Sequence, residues 1–524
     1  MTSAYSHIAS AAIQELETNH QKYHEKLWAK TSGRVIGQIQ HGPKNAWAQE
    51  ADLDEGHSNW LPDTMAGLLA KTEVWCDIMS LSPPDGYFLE NIKGALATLA
   101  KKSKDSEKKI VVRFLFGNII SVPVNCDAVM KSFTEGLPES SNLQIWVGAW
   151  RRGVCWNHAK IVAVDGKHVH TGGHNLWDPV YLREDPIHDT SIEMEGEVAV
   201  QAHLYANGQW EFIQKRQSTP KGRVISMFDD GFLVPTITRV NISEWPKQAN
   251  TFAPQFEKEM LPSPAEKSPD DVNILSIGRY GKIGGLDARS SDDAFLAMFN
   301  ASKKSIRFLL QDLGPVNRTI LGKKIAYKSW PKNYFESWTK AMYERDVDVE
   351  IVLSNPGSLA SHGGAYSNGW SCEEVAAEII KTMKSQYPTA SDDKLKAKVK
   401  KNLRMCFMRN KRGNTWETTM KVGLHSKFFI VDDVSTYVGS QNLYQFDLAE
   451  WGVVIDDEEK TAEIKEDLWN PMWSCSYGDG SRDINEDTVM ELLGVDRDPR
   501  GQASEKEIAG MEAEASPMYG DDEE

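Results

Sequence analysis

The sequence predicts an α/β protein made of two similar halves. Strand-like apolar runs alternate with helical patterns, and the same order of elements occurs twice along the chain. A third observation sets the boundary. Five prolines fall between Pro246 and Pro269, among polar residues and the string SPAEKSPDD, which reads as a surface linker. Residues 1–240 then form the first half, 241–270 the linker and 271–478 the second half. Residues 479–524, ending EAEASPMYGDDEE, read as an acidic, disordered tail.

Each element follows from its pattern. In the first half Thr72–Ser80 (TEVWCDIMS) reads as a strand. A helix follows, with Leu89, Ile92, Leu96 and Leu99 on one side. Next come the apolar runs Ile110–Phe116 (IVVRFLF) and Leu143–Val147. In the second half Ile306–Leu310 (IRFLL) precedes a helix with Tyr334, Trp338, Ala341 and Met342 on one face, then Val349–Leu353 and Met405–Met408. Runs this uniformly apolar belong to sheets covered on both faces. Each half is large enough to own a core.

Composition narrows the function. Of 524 residues, 40% are hydrophobic and 26% charged, which fits a globular protein. With no run of 18 apolar residues, the expectation is peripheral rather than integral membrane contact. A net charge of −16 argues against nonspecific attachment to nucleic acid or anionic membrane. Cys76, Cys126, Cys155, Cys372, Cys406 and Cys475 are scattered, with no CxxC pair, so a zinc site is not expected and buried free thiols are. No secretory signal is read at the N-terminus, so the expected compartment is the cytoplasm, with contact at membrane surfaces; secretion stays open.

One further element occurs in each half: WNHAKIVAVDGKHVHTGGHN in the first and GLHSKFFIVDDVSTYVGSQN in the second. Set His158 against His425, and Lys160 matches Lys427, Asp165 matches Asp432, Gly172 matches Gly439 and Asn175 matches Asn442, without a gap. Five fixed residue types would coincide at ~3 × 10⁻⁷ per starting position. Two such sets, one per half, are a duplicated site.

This double HxKxxxxD with GGxN or GSxN resembles the phospholipase D superfamily. LWAKTSG, WNHAKIVAVDG, GGHNLW and GSQNLY followed by LAEWG look most like the short secreted bacterial phospholipases D, over about Leu27 to Trp473. The resemblance implies two sandwich domains, each a mixed β-sheet flanked by helices, related by a pseudo-two-fold axis. It implies hydrolysis of the distal phosphodiester of phosphatidylcholine-like lipids, with headgroup exchange to alcohols, no cofactor and no metal. It also implies that one chain carrying both motifs suffices as a monomer.

The residue types suit that chemistry. A neutral imidazole can attack phosphorus and a protonated one can release the alcohol. Lys160 and Lys427 offer cationic donors, Asn175 and Asn442 amide donors, for the phosphoryl oxygens. On a strand, His158 and Lys160 share a face, as do His425 and Lys427. The resemblance makes His158 the nucleophile and His425 the general acid, then the base. It also places one carboxylate shortly after each motif to hold that histidine: Asp189 in the first half, and Glu450 in the second, where the bacterial enzymes carry Asp. Asp165 and Asp432 have opposite parity to the histidines and read as structural, fixing the turn that follows. Trp177, Tyr366 and Tyr444 are candidates for a cage around a quaternary ammonium headgroup. Trp156 reads as a core or rim aromatic. His168, His170 and His174 read as strand surface and motif filler rather than a metal site, and His188 as solvent-facing. The alternatives are another enzyme of the superfamily, a nuclease or a lipid synthase, or a non-catalytic lipid-binding protein. The last would have lost one of the six His, Lys or Asn residues, and all six are intact.

Overall fold

A computed structural model describes residues 4–477, except 45, 48–56, 120–122, 139–141, 153–154, 184–185, 218–240, 249–251, 262–266, 282–287, 315–316, 321–322, 327–331, 355–371, 410–421 and 444–447. The two halves build their sheets the same way. In the first, Trp75–Ser80, Ile110–Gly117 and Leu143–Arg152 pair in parallel, in that order. Ile161–Val164 pairs antiparallel with the free edge of Trp75–Ser80, and His168–Gly172 and Ile187–Gly196 follow, each antiparallel to the last. In the second, Ser305–Leu310, Asp348–Leu353 and Leu403–Phe407 form the parallel set. Lys427–Val431, Ser435–Gly439 and Glu450–Asp456 form the antiparallel one.

Two further strands join the sheets into one. Trp28–Val35 pairs with Ile187–Gly196 and with Val272–Arg279, and the latter pairs with Glu450–Asp456. The result is a large mixed sheet flanked by helices, the α/β architecture that the alternation of elements predicts. The helices bury the stripes their spacing defines. Gly86–Ser106 buries Phe88, Ile92, Ala95, Leu96 and Leu99, and Lys332–Arg345 buries Tyr334, Trp338, Ala341 and Met342.

Both faces of the strands are covered. One apolar cluster lies within the first half, around Ile78, Phe114 and Leu96, and another surrounds Phe308, Ile351 and Trp338 of the second, joined by Ile8, Leu16 and Trp28. A central cluster takes Trp75, Leu115 and Trp146 from the first half together with Leu309, Val352 and Phe428 from the second. Residues alternate between these clusters along each strand, which is why the runs are apolar throughout rather than every second residue.

Parts of the segment expected as a surface linker are packed instead. Ile242–Trp245 pairs antiparallel with Leu143–Arg152, and Ala253 and Phe256 are buried. A buried charge holds part of it. Arg113, ion-paired with Asp77 at 2.7 Å, has N–H groups left over, and one donates to the Pro254 carbonyl at 3.0 Å. All six cysteines are buried and free. Among the described residues no helix is long and apolar enough to cross a membrane. The tail after 478 lies outside the described residues.

Candidate active site

The histidines sit where the halves are stitched together. His158 lies just before Ile161–Val164 and His425 just before Lys427–Val431. The His158 main-chain N–H donates to the Ala449 carbonyl at 2.8 Å, and that of His425 to the His188 carbonyl at 2.7 Å. Each acceptor is the residue immediately before a carboxylate of the opposite half. Gly423–Leu424 runs parallel to Ile187–His188, and Asn157 bridges to Ala449 in the matching place.

The side chains are therefore exchanged between halves. His158 Nδ1 donates to Glu450 Oε2 at 3.0 Å, and His425 Nδ1 donates to Asp189 Oδ2 at 2.5 Å. This corrects the expectation that Asp189 serves His158 and Glu450 serves His425. The parallel crossover strands carry each carboxylate away from its own motif and into the other half's histidine.

The remaining motif residues close around this pair. Lys160 Nζ donates to the His158 carbonyl at 2.7 Å, and Lys427 Nζ donates to the His425 carbonyl. Asn175 accepts from the Leu81 N–H at 3.4 Å, while its Nδ2 is buried with no hydrogen-bond partner, a donor held in reserve. Asn442 is buried beside the second motif. Lys160 and Lys427 act electrostatically on each other, on both histidines and on both carboxylates, so both motifs converge on one site.

No protein-family model matches the chain. The sequence is 23% identical over 491 residues to a phospholipase D of Streptomyces antibioticus, an alignment covering 86% of this chain and 84% of that one. The likeness supports membership of the phospholipase D superfamily. Among solved structures, phosphatidylserine synthase of Haemophilus influenzae is similar at a TM-score of 0.48, with 11% identity over 90% of this chain and 91% of that one. Nuc of Salmonella typhimurium, a phospholipase D family member, is similar at 0.23, with 18% identity over 39% of this chain and 96% of that one.

Burial sets the protonation of this site. Desolvation lowers His158 to about 4 and His425 to about 3, against the supporting charges of Glu450 and Asp189, so both rings are neutral at pH 7. Desolvation also lowers Lys160 to about 7 and Lys427 to about 8, with Glu450 and Asp189 opposing. Burial alone would raise the two carboxylates. The histidines and nearby cations outweigh it and hold both below their usual range.

The two motifs differ at one position for a steric reason. A Cβ on Gly173 would lie 1.9 Å from Asp189 Oδ1, so no side chain fits. Glu450 reaches in on a longer arm, which leaves room for Ser440 at the matching place. Ser440 Oγ donates to Glu450 Oε2 at 2.6 Å. The substitution of Glu for Asp is thus accommodated by a compensating serine.

Asp165 and Asp432 are structural, but they act on a neighbouring strand rather than on the turn that follows. Asp165 accepts from the main-chain N–H groups of Glu73, Val74 and Trp75 at 2.7–2.9 Å. Asp432 accepts from Lys303, Lys304 and Ser305 at 2.7–3.0 Å. Each caps the entry to its half's first parallel strand.

The extra histidines are more enclosed than expected. His168 is part-exposed and pairs with Glu195, but His170 and His174 are buried. His170 Nε2 meets Gln40 Oε1 at 2.9 Å and His174 Nδ1 meets Ser191 Oγ at 2.8 Å. His188, expected to face solvent, is completely buried beneath His41 and Trp47. The cause is the short strand Gln40–Gly42, which covers this part of Ile187–Gly196 and which the sequence pattern does not reveal.

Trp156 is buried with Leu81, Ile119 and Leu448, and Trp177 packs against this cluster. Tyr366 and Tyr444 lie outside the described residues. Sequence reasoning missed Tyr181, whose hydroxyl donates to Asp189 Oδ2 at 3.0 Å, and Arg279, which approaches Glu450. It also passed over Ser440, although the change from GG to GS was visible. Arg279 stands in no motif and gave no signal.

Proposed function

We propose that this protein is a phospholipase D that cleaves the distal phosphodiester of phosphatidylcholine-like lipids. The observation that carries the reading is the pair of neutral histidines, each held by a buried carboxylate from the other half and flanked by a lysine and an asparagine. His158 Nε2 attacks phosphorus. A P–N bond forms, the P–O bond to the headgroup breaks, and the proton on His425 Nε2 goes to the departing alcohol. Neutral His425 then takes a proton from water, whose oxygen displaces His158 and releases phosphatidic acid. An alcohol in place of water gives headgroup exchange.

His425 is neutral in the free protein, so it acquires its proton as the anionic phosphate enters and offsets Lys160 and Lys427. Asp189 then supports the imidazolium. Lys160, Lys427, Asn175 and Asn442 hold the phosphoryl oxygens. Trp177, with Tyr366 and Tyr444, receives the quaternary ammonium of the headgroup. The similarity to a protein named phospholipase D supports the substrate class. The net charge of −16 suits a zwitterionic membrane surface better than an anionic one.

The test uses phosphatidylcholine vesicles with a little ethanol. Wild type should release choline and form phosphatidylethanol, and His158→Ala and His425→Ala should do neither. Wild-type silence on choline lipids would overturn the substrate assignment.

A further inference from the structure

The two carboxylates occupy matching places in the fold, but the residues opposite them do not match. In the sheet, Arg279 is the direct cross-strand partner of Glu450, and Gly42 is that of Asp189. We propose that Arg279 distinguishes the two histidines: by sharing Glu450 with His158 it reserves His158 for attack, while Gly42 opposite Asp189 leaves His425 for proton transfer. This deepens the phospholipase D reading and rests on it.

The surroundings of Glu450 are charged. Arg279 is buried, with Nη2 at 3.9 Å from Glu450 Oε1. Its other groups are fixed: Nε donates to the Leu448 carbonyl at 3.1 Å and Nη1 to Asp292 Oδ1 at 2.6 Å. Asp292 also accepts from Gln441 of the GSQN motif at 3.1 Å, so the guanidinium is tied to the second motif.

Lys160 and Lys427 act on both carboxylates alike, and the remaining surroundings of Asp189 are neutral. A Cβ on Gly42 would lie nearest Ser58 Oγ at 3.3 Å and His174 Nε2 at 3.8 Å. Asp189 accepts from Tyr181 at 3.0 Å and from the Thr190 N–H at 2.9 Å. Burial holds His174 neutral. Neutral donors orient a carboxylate and leave its charge to the imidazolium beside it. A guanidinium takes part of that charge away. The other groups facing the histidines are Lys160 and Lys427, and both lysines act on both rings. The asymmetry therefore lies with Arg279.

Arg279 is a positioning residue, and its test needs a readout that a structural role would not move. In full-length protein labelled at histidine Cε1, His158 is titrated by NMR, and the acid limb of choline release is followed on phosphatidylcholine vesicles. In Arg279→Gln the His158 titration and the acid limb should both move up by about one pH unit, with His425 in place. Arg279→Lys should restore most of the shift. Asp292→Asn, which frees the guanidinium to act on Glu450, should move both the opposite way, and it carries the test if Arg279→Gln does not fold. A loss uniform across pH, an equal movement of His425, or a shift of the same sign in Asp292→Asn would overturn the proposal. Acid-quenched wild type, mapped for the phosphorylated histidine, tests the underlying reading separately. Phosphate on His425 would overturn the order of attack, while the NMR shift would still report whether Arg279 acts on His158.

Discussion

Replacing Asp189 with Asn removes the charge behind His425, whereas replacing Glu450 with Gln removes the charge behind His158. Both carboxylates are fully buried, so no water can take their place. His425 Nδ1 lies 2.5 Å from Asp189, and nothing in the Tyr181 and Thr190 contacts supplies a second negative charge. Losing the carboxylate that supports a catalytic histidine costs up to about 10⁴ in rate, or about 5.4 kcal/mol. Choline release should therefore fall by about 10³ to 10⁴ in either variant. A leaving group that needs no proton separates them. With a phosphatidyl p-nitrophenol substrate, the first step needs the nucleophile but not the acid. Asp189→Asn should keep a rapid burst of nitrophenolate followed by slow turnover, because only its acid-base histidine is damaged. Glu450→Gln should lose burst and turnover together. A burst retained in Glu450→Gln and lost in Asp189→Asn would refute the exchanged pairing, or the assignment of His158 as nucleophile.

Other consequences can be checked more simply. Burial lowers His41, His158, His170, His174 and His425 to between about 3 and about 4, and His188 well below its usual value. The unfolded chain then binds more protons than the folded one below about pH 6.5, so stability should fall as pH drops from there towards 4. A melting temperature unchanged between pH 7 and 5 would contradict this. Lys160 and Lys427, lowered to about 7 and about 8, should gain protons when an oxyanion binds. Calorimetry with tungstate in two buffers of different ionisation enthalpy should show net proton uptake, reduced in Lys160→Met. Asp432→Ala leaves three main-chain N–H groups, one of them buried, without their acceptor and should cost about 1–3 kcal/mol in urea titration. Its turnover per folded molecule should be little changed. Gly173→Ser copies the second motif into the first, but its Cβ would strike Asp189, so activity should fall far more than in Ser440→Gly.

Much of the fold was legible because strands covered on both faces give unbroken apolar runs, such as Ile110–Phe116, and local spacing marks the helices between them. The motif residues were legible for a different reason: duplication made one site appear twice at one spacing. Pairings across the chain were not legible. Asp189 and Glu450 could be found, but not which histidine each serves, since that depends on the crossover at Ala449 and His188. His188 was misread because its cover, Gln40–Gly42, is three residues long and distant in sequence. Arg279 and Tyr181 gave no pattern, as their contacts are fixed by the tertiary fold.

The exchange of carboxylates also bears on how such a duplicated chain can change. In most duplications one copy is released from its task and can drift. Here each copy holds the other's histidine, through Glu450 on His158 and Asp189 on His425. A half that lost its own histidine would still be required for its carboxylate, and a half expressed alone would have an imidazole with no partner. The two copies are bound to a common fate, and their sequences are free to diverge only in pairs, as Glu450 and Ser440 have done together.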